Sequence, residues 1–328
     1  MTYYQQTSKG IRCLLCRHYC NLKEGQTGIC GVNKNEKGAL ENLVYGKVAA
    51  LNIDPVEKKP LYHFLPGSTA LSIGTVGCNL QCPFCQNWQI SQTGDLSFSQ
   101  EVTPAQIVAL ALKNNCKTIA YTYNEPSVFY PFARDTALLA KSKGIKNVFV
   151  TNGMESEEVI NDMMGIIDAF NVDLKSFDAA YYKKTLKGTL EGVLDTLKLL
   201  RKNGFWIEVT TLVVPGENDG GSQLDDIAGF IAGELGNSTP WHISAFYPHY
   251  KMTDKNHTSL QSLQRAYETG KKRGLKYVYK GNVSEPAITT CPGCGKELIV
   301  RRGYYISKNS LVDGKCKYCG TKIDGVWN

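Results

Sequence analysis

No stretch of this 328-residue sequence approaches the roughly 18 consecutive apolar residues of a membrane span. The start, Met1 to Cys13, is polar and lacks the apolar core of a signal peptide, so a cytoplasmic chain is expected. There is no low-complexity tract, no solenoid repeat and no dense Lys/Arg run. The net charge of +7 therefore reads first as an ordinary basic surface. An acidic partner, an electron donor or an RNA is the secondary reading of that charge. At 42% hydrophobic and 20% charged residues, the composition argues against a disordered or collagen-like chain. The length implies about two domains.

Cysteine, by contrast, is plentiful: twelve residues, eleven of them in three groups. These are Cys13, Cys16, Cys20 and Cys30; Cys78, Cys82 and Cys85; and Cys291, Cys294, Cys316 and Cys319. A cytoplasmic chain rarely stores disulfides, so such clusters point to metal or redox chemistry. Four thiolates close a metal site, whereas three leave a position open. Cys116 stands alone and reads as a small buried hydrophobe.

Apolar, β-branched runs predict strands at Ala70–Val76, Thr118–Tyr123, Lys146–Thr151, Ala169–Leu174, Trp206–Val214 and His242–Tyr247, with Lys276–Lys280 as a possible last one. Helical periodicity fills the gaps. Thr103-Pro104 opens a helix to about Asn114, and Phe132–Lys143, Leu190–Asn203, Ser222–Leu235 and Leu260–Lys272 follow. The alternation predicts an α/β fold of parallel βαβ units, either a partial barrel or a doubly wound sheet. Ligands then sit at the C-terminal ends of the strands. Residues 1–59 and 282–328 flank a barrel expected over 60–281.

The first such strand end carries Gly77-Cys78-Asn79-Leu80-Gln81-Cys82-Pro83-Phe84-Cys85. Three thiolates holding a four-iron cluster leave one iron free to engage a substrate. A zinc site short of a ligand, or buried free cysteines, is the plain alternative. The Cys-x3-Cys-x-aromatic-Cys spacing, with Phe84 at the aromatic position, resembles the radical S-adenosylmethionine (SAM) superfamily. That resemblance implies a partial (β/α)6 barrel, a [4Fe-4S] cluster at Cys78, Cys82 and Cys85, and a low-potential donor such as flavodoxin or ferredoxin. It also implies reductive cleavage of SAM to a 5′-deoxyadenosyl radical that abstracts hydrogen. Asn124 and Glu125, in Tyr121–Pro126, would meet the methionine amino group. By likeness to pyruvate formate-lyase activating enzymes, Thr151 or Asn152 would approach the ribose and Lys175 the methionine carboxylate. Val150 and Asp225 depart from that pattern, which has Asp and His at the corresponding positions.

The N-terminal Cys-x2-Cys-x3-Cys-x9-Cys, Pro60–Gly67 and the terminal knuckles together resemble the AmmeMemoRadiSam system radical enzymes. The likeness implies Memo-like and AMMECR-type proteins as associates. Two Cys-x2-Cys pairs, Cys291/Cys294 and Cys316/Cys319, read as a zinc ribbon, with a rubredoxin-like iron as the alternative. For Cys13, Cys16, Cys20 and Cys30, zinc leads and an auxiliary iron–sulfur cluster is the alternative; His18 lies inside that group. His242, His249 and Tyr247 fall near the last strand, where they line a pocket or pack. Trp88 and Tyr123 either exclude water near the cluster or belong to the core. Other functions compatible with the sequence are glycyl-radical activation and RNA binding or modification by the ribbon.

Overall fold

The computed structural model describes residues 2–328. Its centre is one eight-stranded sheet: β1 (Ala50–Pro55), β2 (Thr69–Gly74), β3 (Thr118–Tyr121), β4 (Lys146–Thr151), β5 (Ala169–Asp173), β6 (Trp206–Val213), β7 (Trp241–Ala245) and β8 (Val278–Gly281). Spatial order follows chain order from β1 to β8 without reversal. A doubly wound sheet reverses at a switch point, so this order selects the barrel. The strands from β2 to β8 pair in parallel, whereas β1 pairs antiparallel with β2. Neither outer strand pairs with the other, so the barrel is partial. The expected six strands are thus extended by one at each edge. Strand β1 lies before the expected boundary at residue 60.

The central strands are buried on both faces, which is why they read as continuous apolar runs. The helices cover the outer face. α1 (Pro104–Lys113) starts in a capping box, with Thr103 and Gln106 bonding reciprocally. α2 (Tyr130–Ser142), α3 (Glu157–Asp162), α4 (Leu190–Lys202), α5 (Gly221–Phe230) and α6 (Leu260–Lys272) follow. On α4, Leu190, Val193, Leu197 and Leu200 form the buried stripe, capped by Thr189 accepting from the Gly192 N–H.

Two small units hold the ends. At the N-terminus, Tyr4–Thr7, Gly10–Cys13 and Asn21–Leu22 form a three-stranded sheet whose Ile11, Leu15 and Leu22 join the main core. At the C-terminus, β9 (Ala287–Thr290), β10 (Glu297–Arg302) and β11 (Tyr305–Asn309) form an antiparallel sheet. Its Leu298 and Ile299 pack with Tyr62, Tyr277 and Tyr279 of the barrel. Among the described residues, no helix is long and apolar enough to cross a membrane.

Candidate active site

The loop after β2 carries Cys78, and the chain around it is clamped from β3. The Asn124 side-chain amide donates to the Gly77 carbonyl at 2.7 Å and to Thr75 Oγ1 at 3.0 Å. Its Oδ1 accepts from the Thr75 N–H at 3.1 Å. That amide is therefore spent on shaping the cysteine loop. Tyr123, just before it, has φ +72°, a left-handed backbone rare for an aromatic residue.

Cys78, Cys82, Phe84 and Cys85 line one cavity of about 400 Å³, within the usual range for small-molecule sites. Burial pushes the Cys82 thiol up to about 11 and the Cys78 thiol well above its ordinary value. Bare thiolates are costly there, and a cation shared among them would offset the cost. The three sulfurs do not lie within 4.8 Å of one another. That spacing is too wide for one ion and suits ligands carried on separate irons, so the trio fits a cluster.

Across the cavity stands Glu125, buried and satisfied by four bonds. Its oxygens accept from Thr151 Oγ1 at 3.0 Å, the Asn152 N–H at 2.8 Å and the Ser127 N–H at 2.9 Å. Burial still raises its pKa against those bonds. The Asn152 side-chain amide donates to Asn79 Oδ1 at 2.8 Å and reaches Cys78 Sγ at 3.9 Å. Lys175 holds Asp173 at 2.7 Å. Burial works against its charge, but Asp173 and Cys82 keep its pKa above the ordinary lysine value. The structure thus brings Cys78, Cys82, Phe84, Cys85, Asn124, Glu125, Thr151, Asn152 and Lys175 to a single cavity.

The other side of the cavity escaped the sequence reading almost entirely. Asp54 binds Lys59 at 2.7 Å and Tyr123 Oη at 2.8 Å. The Lys59 ammonium sits 4.6 Å from the Tyr123 ring centre. His242 Nε2 meets Glu208 at 2.7 Å, and Glu208 also takes the Tyr62 and His63 N–H groups at 2.9 and 2.8 Å. Tyr62 and Tyr304 complete the wall. Glu208 was visible as a lone charge in an apolar strand; Lys59 and Tyr304 had no local signal. His249 and Tyr247 are exposed and lie outside the cavity lining. Trp88 stacks on Tyr250, also outside it. Asp225 is on the surface, bound to Arg273.

In the ribbon, Cys291 and Cys319 sulfurs are 3.6 Å apart and those of Cys294 and Cys316 3.8 Å. All four lie within 4.8 Å of one another. Zn–S bonds of about 2.3 Å give a tetrahedron with edges of about 3.8 Å, so this quartet fits a single ion. The N-terminal quartet does not converge in this way. His18 Nε2 is engaged by the Asn79 carbonyl at 2.8 Å. Cys116 is buried.

Residues 72–231 match the Radical SAM superfamily model. The chain is 44% identical over 334 residues to an uncharacterized protein of Methanocaldococcus jannaschii, covering 99% of this chain and 98% of that one. Over 120 residues, 36% of each chain, it is 27% identical to the benzylsuccinate synthase activating enzyme of Thauera aromatica. Streptococcus suis SuiB bound to S-adenosylmethionine superposes at a TM-score of 0.53 and 14% identity, over 69% of this chain and 53% of that one. That last likeness concerns the fold alone.

Proposed function

The chain belongs to the radical SAM superfamily, and from that premise we propose that its barrel cavity cleaves SAM and directs the resulting radical at a substrate bound beside it. A [4Fe-4S] cluster bound at Cys78, Cys82 and Cys85 would supply the electron that splits SAM into methionine and a 5′-deoxyadenosyl radical. The observation that carries this reading is the convergence of the three thiols, Glu125, Thr151, Asn152 and Lys175 on one cavity.

The protein's own groups divide the work. Asn124 positions the cysteine loop. Glu125 holds Thr151 and the Asn152 backbone in place and presents a carboxylate to an ammonium. Thr151 and Asn152 face the ribose, and Lys175 a carboxylate. Phe84 and Tyr123 exclude water, which protects a radical from quenching. Lys59, Tyr62, His242 and Tyr304 shape the room left for the substrate. That substrate is assigned to the system of Memo-like and AMMECR-type proteins, a reading supported by the N-terminal cysteine spacing and Pro60–Gly67.

Anaerobic reconstitution with iron and sulfide, followed by SAM and dithionite, should yield 5′-deoxyadenosine by mass spectrometry. Cys82→Ala should reduce the yield to background while leaving the ribbon metal bound. Equal yields from the variant and the parent would overturn the assignment. Glycyl-radical activation is the second reading, favoured by the segment shared with the Thauera enzyme. It requires an organic radical signal on a co-expressed partner protein.

A further inference from the structure

The function proposed above leaves Cys13, Cys16, Cys20 and Cys30 unused. We propose that these four cysteines hold an iron–sulfur cluster of their own, seated against the Cys78 loop, and that electrons reach the loop through it. The site stands on its own geometry; the relay rests on the proposed function.

The four residues surround one volume. The Cys13 N–H donates to the Cys20 carbonyl at 2.9 Å, which pairs two of them across the N-terminal sheet. A Cβ placed on Gly28 would lie 3.5 Å from Cys20 Sγ and 3.7 Å from Cys30 Sγ, so only a glycine-sized residue sits easily between those thiols. The Asn33 side-chain amide donates to Cys30 Sγ at 3.4 Å. Yet among the described residues only the ribbon quartet brings three or more metal-binding atoms within 4.8 Å of one another. The N-terminal thiols therefore share the wider spacing of the Cys78, Cys82 and Cys85 trio. A lone tetrahedral ion needs all its sulfurs about 3.8 Å apart, whereas a cluster carries its thiolates on different irons. Four soft thiolates at the wider spacing select the cluster.

Contact with the Cys78 loop is direct. Gly77 has φ +85°, and a Cβ there would meet the Cys30 carbonyl at 2.7 Å. Asn79 links the two cysteine sets. Its carbonyl meets His18 Nε2 at 2.8 Å, and its Oδ1 accepts from the Asn152 amide that also reaches Cys78 Sγ. Cys13 and Cys16 are buried on this inner side, while Cys20 and Cys30 are partly exposed and Ile29 beside them is 43% exposed. The quartet thus runs from the surface to the catalytic loop. A reduced ferredoxin or flavodoxin loses one electron to the outer cluster, which passes that electron to the cluster at Cys78 and returns to its starting state. No bond is made or broken in the transfer.

The test uses the full chain, purified and reconstituted anaerobically with iron and sulfide. The C78A/C82A/C85A variant should keep about four irons, or two for the smaller cluster, with sulfide and a dithionite-reducible electron paramagnetic signal. Adding C20A/C30A should abolish all three. A triple variant with no iron and about two zinc ions per chain would overturn the site. Metal analysis of the parent protein checks the same point without a variant: about one zinc supports it and about two oppose it. For the relay, C20A/C30A should slow reduction of the Cys78 site by reduced ferredoxin at least tenfold, followed by stopped-flow absorbance, with dithionite reduction unchanged. An unchanged ferredoxin rate would overturn the relay. Because the triple variant lacks the SAM site, failure of the proposed function leaves the metal count readable.

Discussion

The two cysteine-bearing ends of the chain are attached to the barrel in different ways. The ribbon closes its four thiols on each other, with Cys294 and Cys319 exposed, and meets the barrel through packed side chains. Arg301 is its wedge. It is fully buried, donating to the Tyr62 carbonyl at 2.6 Å and Thr289 Oγ1 at 2.9 Å, with its guanidinium 4.3 Å from the Tyr62 ring centre and facing Glu57. The N-terminal segment leaves its thiols spread and meets the barrel backbone to backbone, at Gly77 and Asn79. A site closed on one ion can stiffen a small unit anywhere on the surface. A spread set pressed against the catalytic loop can also exchange electrons with it.

Breaking each attachment sharpens the contrast. Arg301→Ala should cost the most, about 3–5 kcal/mol, because Glu57 is left buried without its cation. Denaturant unfolding checks this, and a loss below about 1 kcal/mol would mean the ribbon is not wedged. His63 comes next. It is sealed between Tyr279 Oη and the Asp324 carbonyl, each at 2.6 Å, and burial lowers its pKa from 6.5 to about 4. As pH falls through 6.5, the unfolded chain takes up the proton and the native one does not. Stability should therefore fall by about 3 kcal/mol between pH 6.5 and 4. His63→Gln should flatten that slope.

Gly77→Ala tests the N-terminal attachment. The left-handed backbone and the Cys30 carbonyl together should cost about 2 kcal/mol, read as a lower melting temperature. The smallest effect belongs to Thr103→Ala. Loss of the α1 cap should cost about 1 kcal/mol and leave both metal sites at full occupancy. A metal loss in that variant would show that global stability, not local attachment, governs both ends.

Much of the barrel was legible because its signals are local. The predicted strand at Lys146–Thr151 coincides with β4, and the predicted helix at Leu260–Lys272 with α6. Strand β1 was not foreseen: Leu51, Asn52 and Ile53 are half or fully exposed, so no apolar run marks them. On the catalytic side, Cys78, Cys82 and Cys85 stood out because one loop carries all three. The opposite wall did not. Lys59, Glu208, His242 and Tyr304 come from four distant segments and become neighbours only when the sheet curls.

By itself, the sequence determined the alternation of strands and helices, the three cysteine groups and the strand ends that carry the polar residues. These follow from side-chain periodicity and from spacing along one chain, which folding does not alter. Tertiary structure decided the barrel over the doubly wound sheet, the substrate wall, and the difference between a converged and a spread set of four thiols. Each depends on distances between residues far apart in sequence, or on how a loop is bent against its neighbours, and such distances exist only once the core has packed.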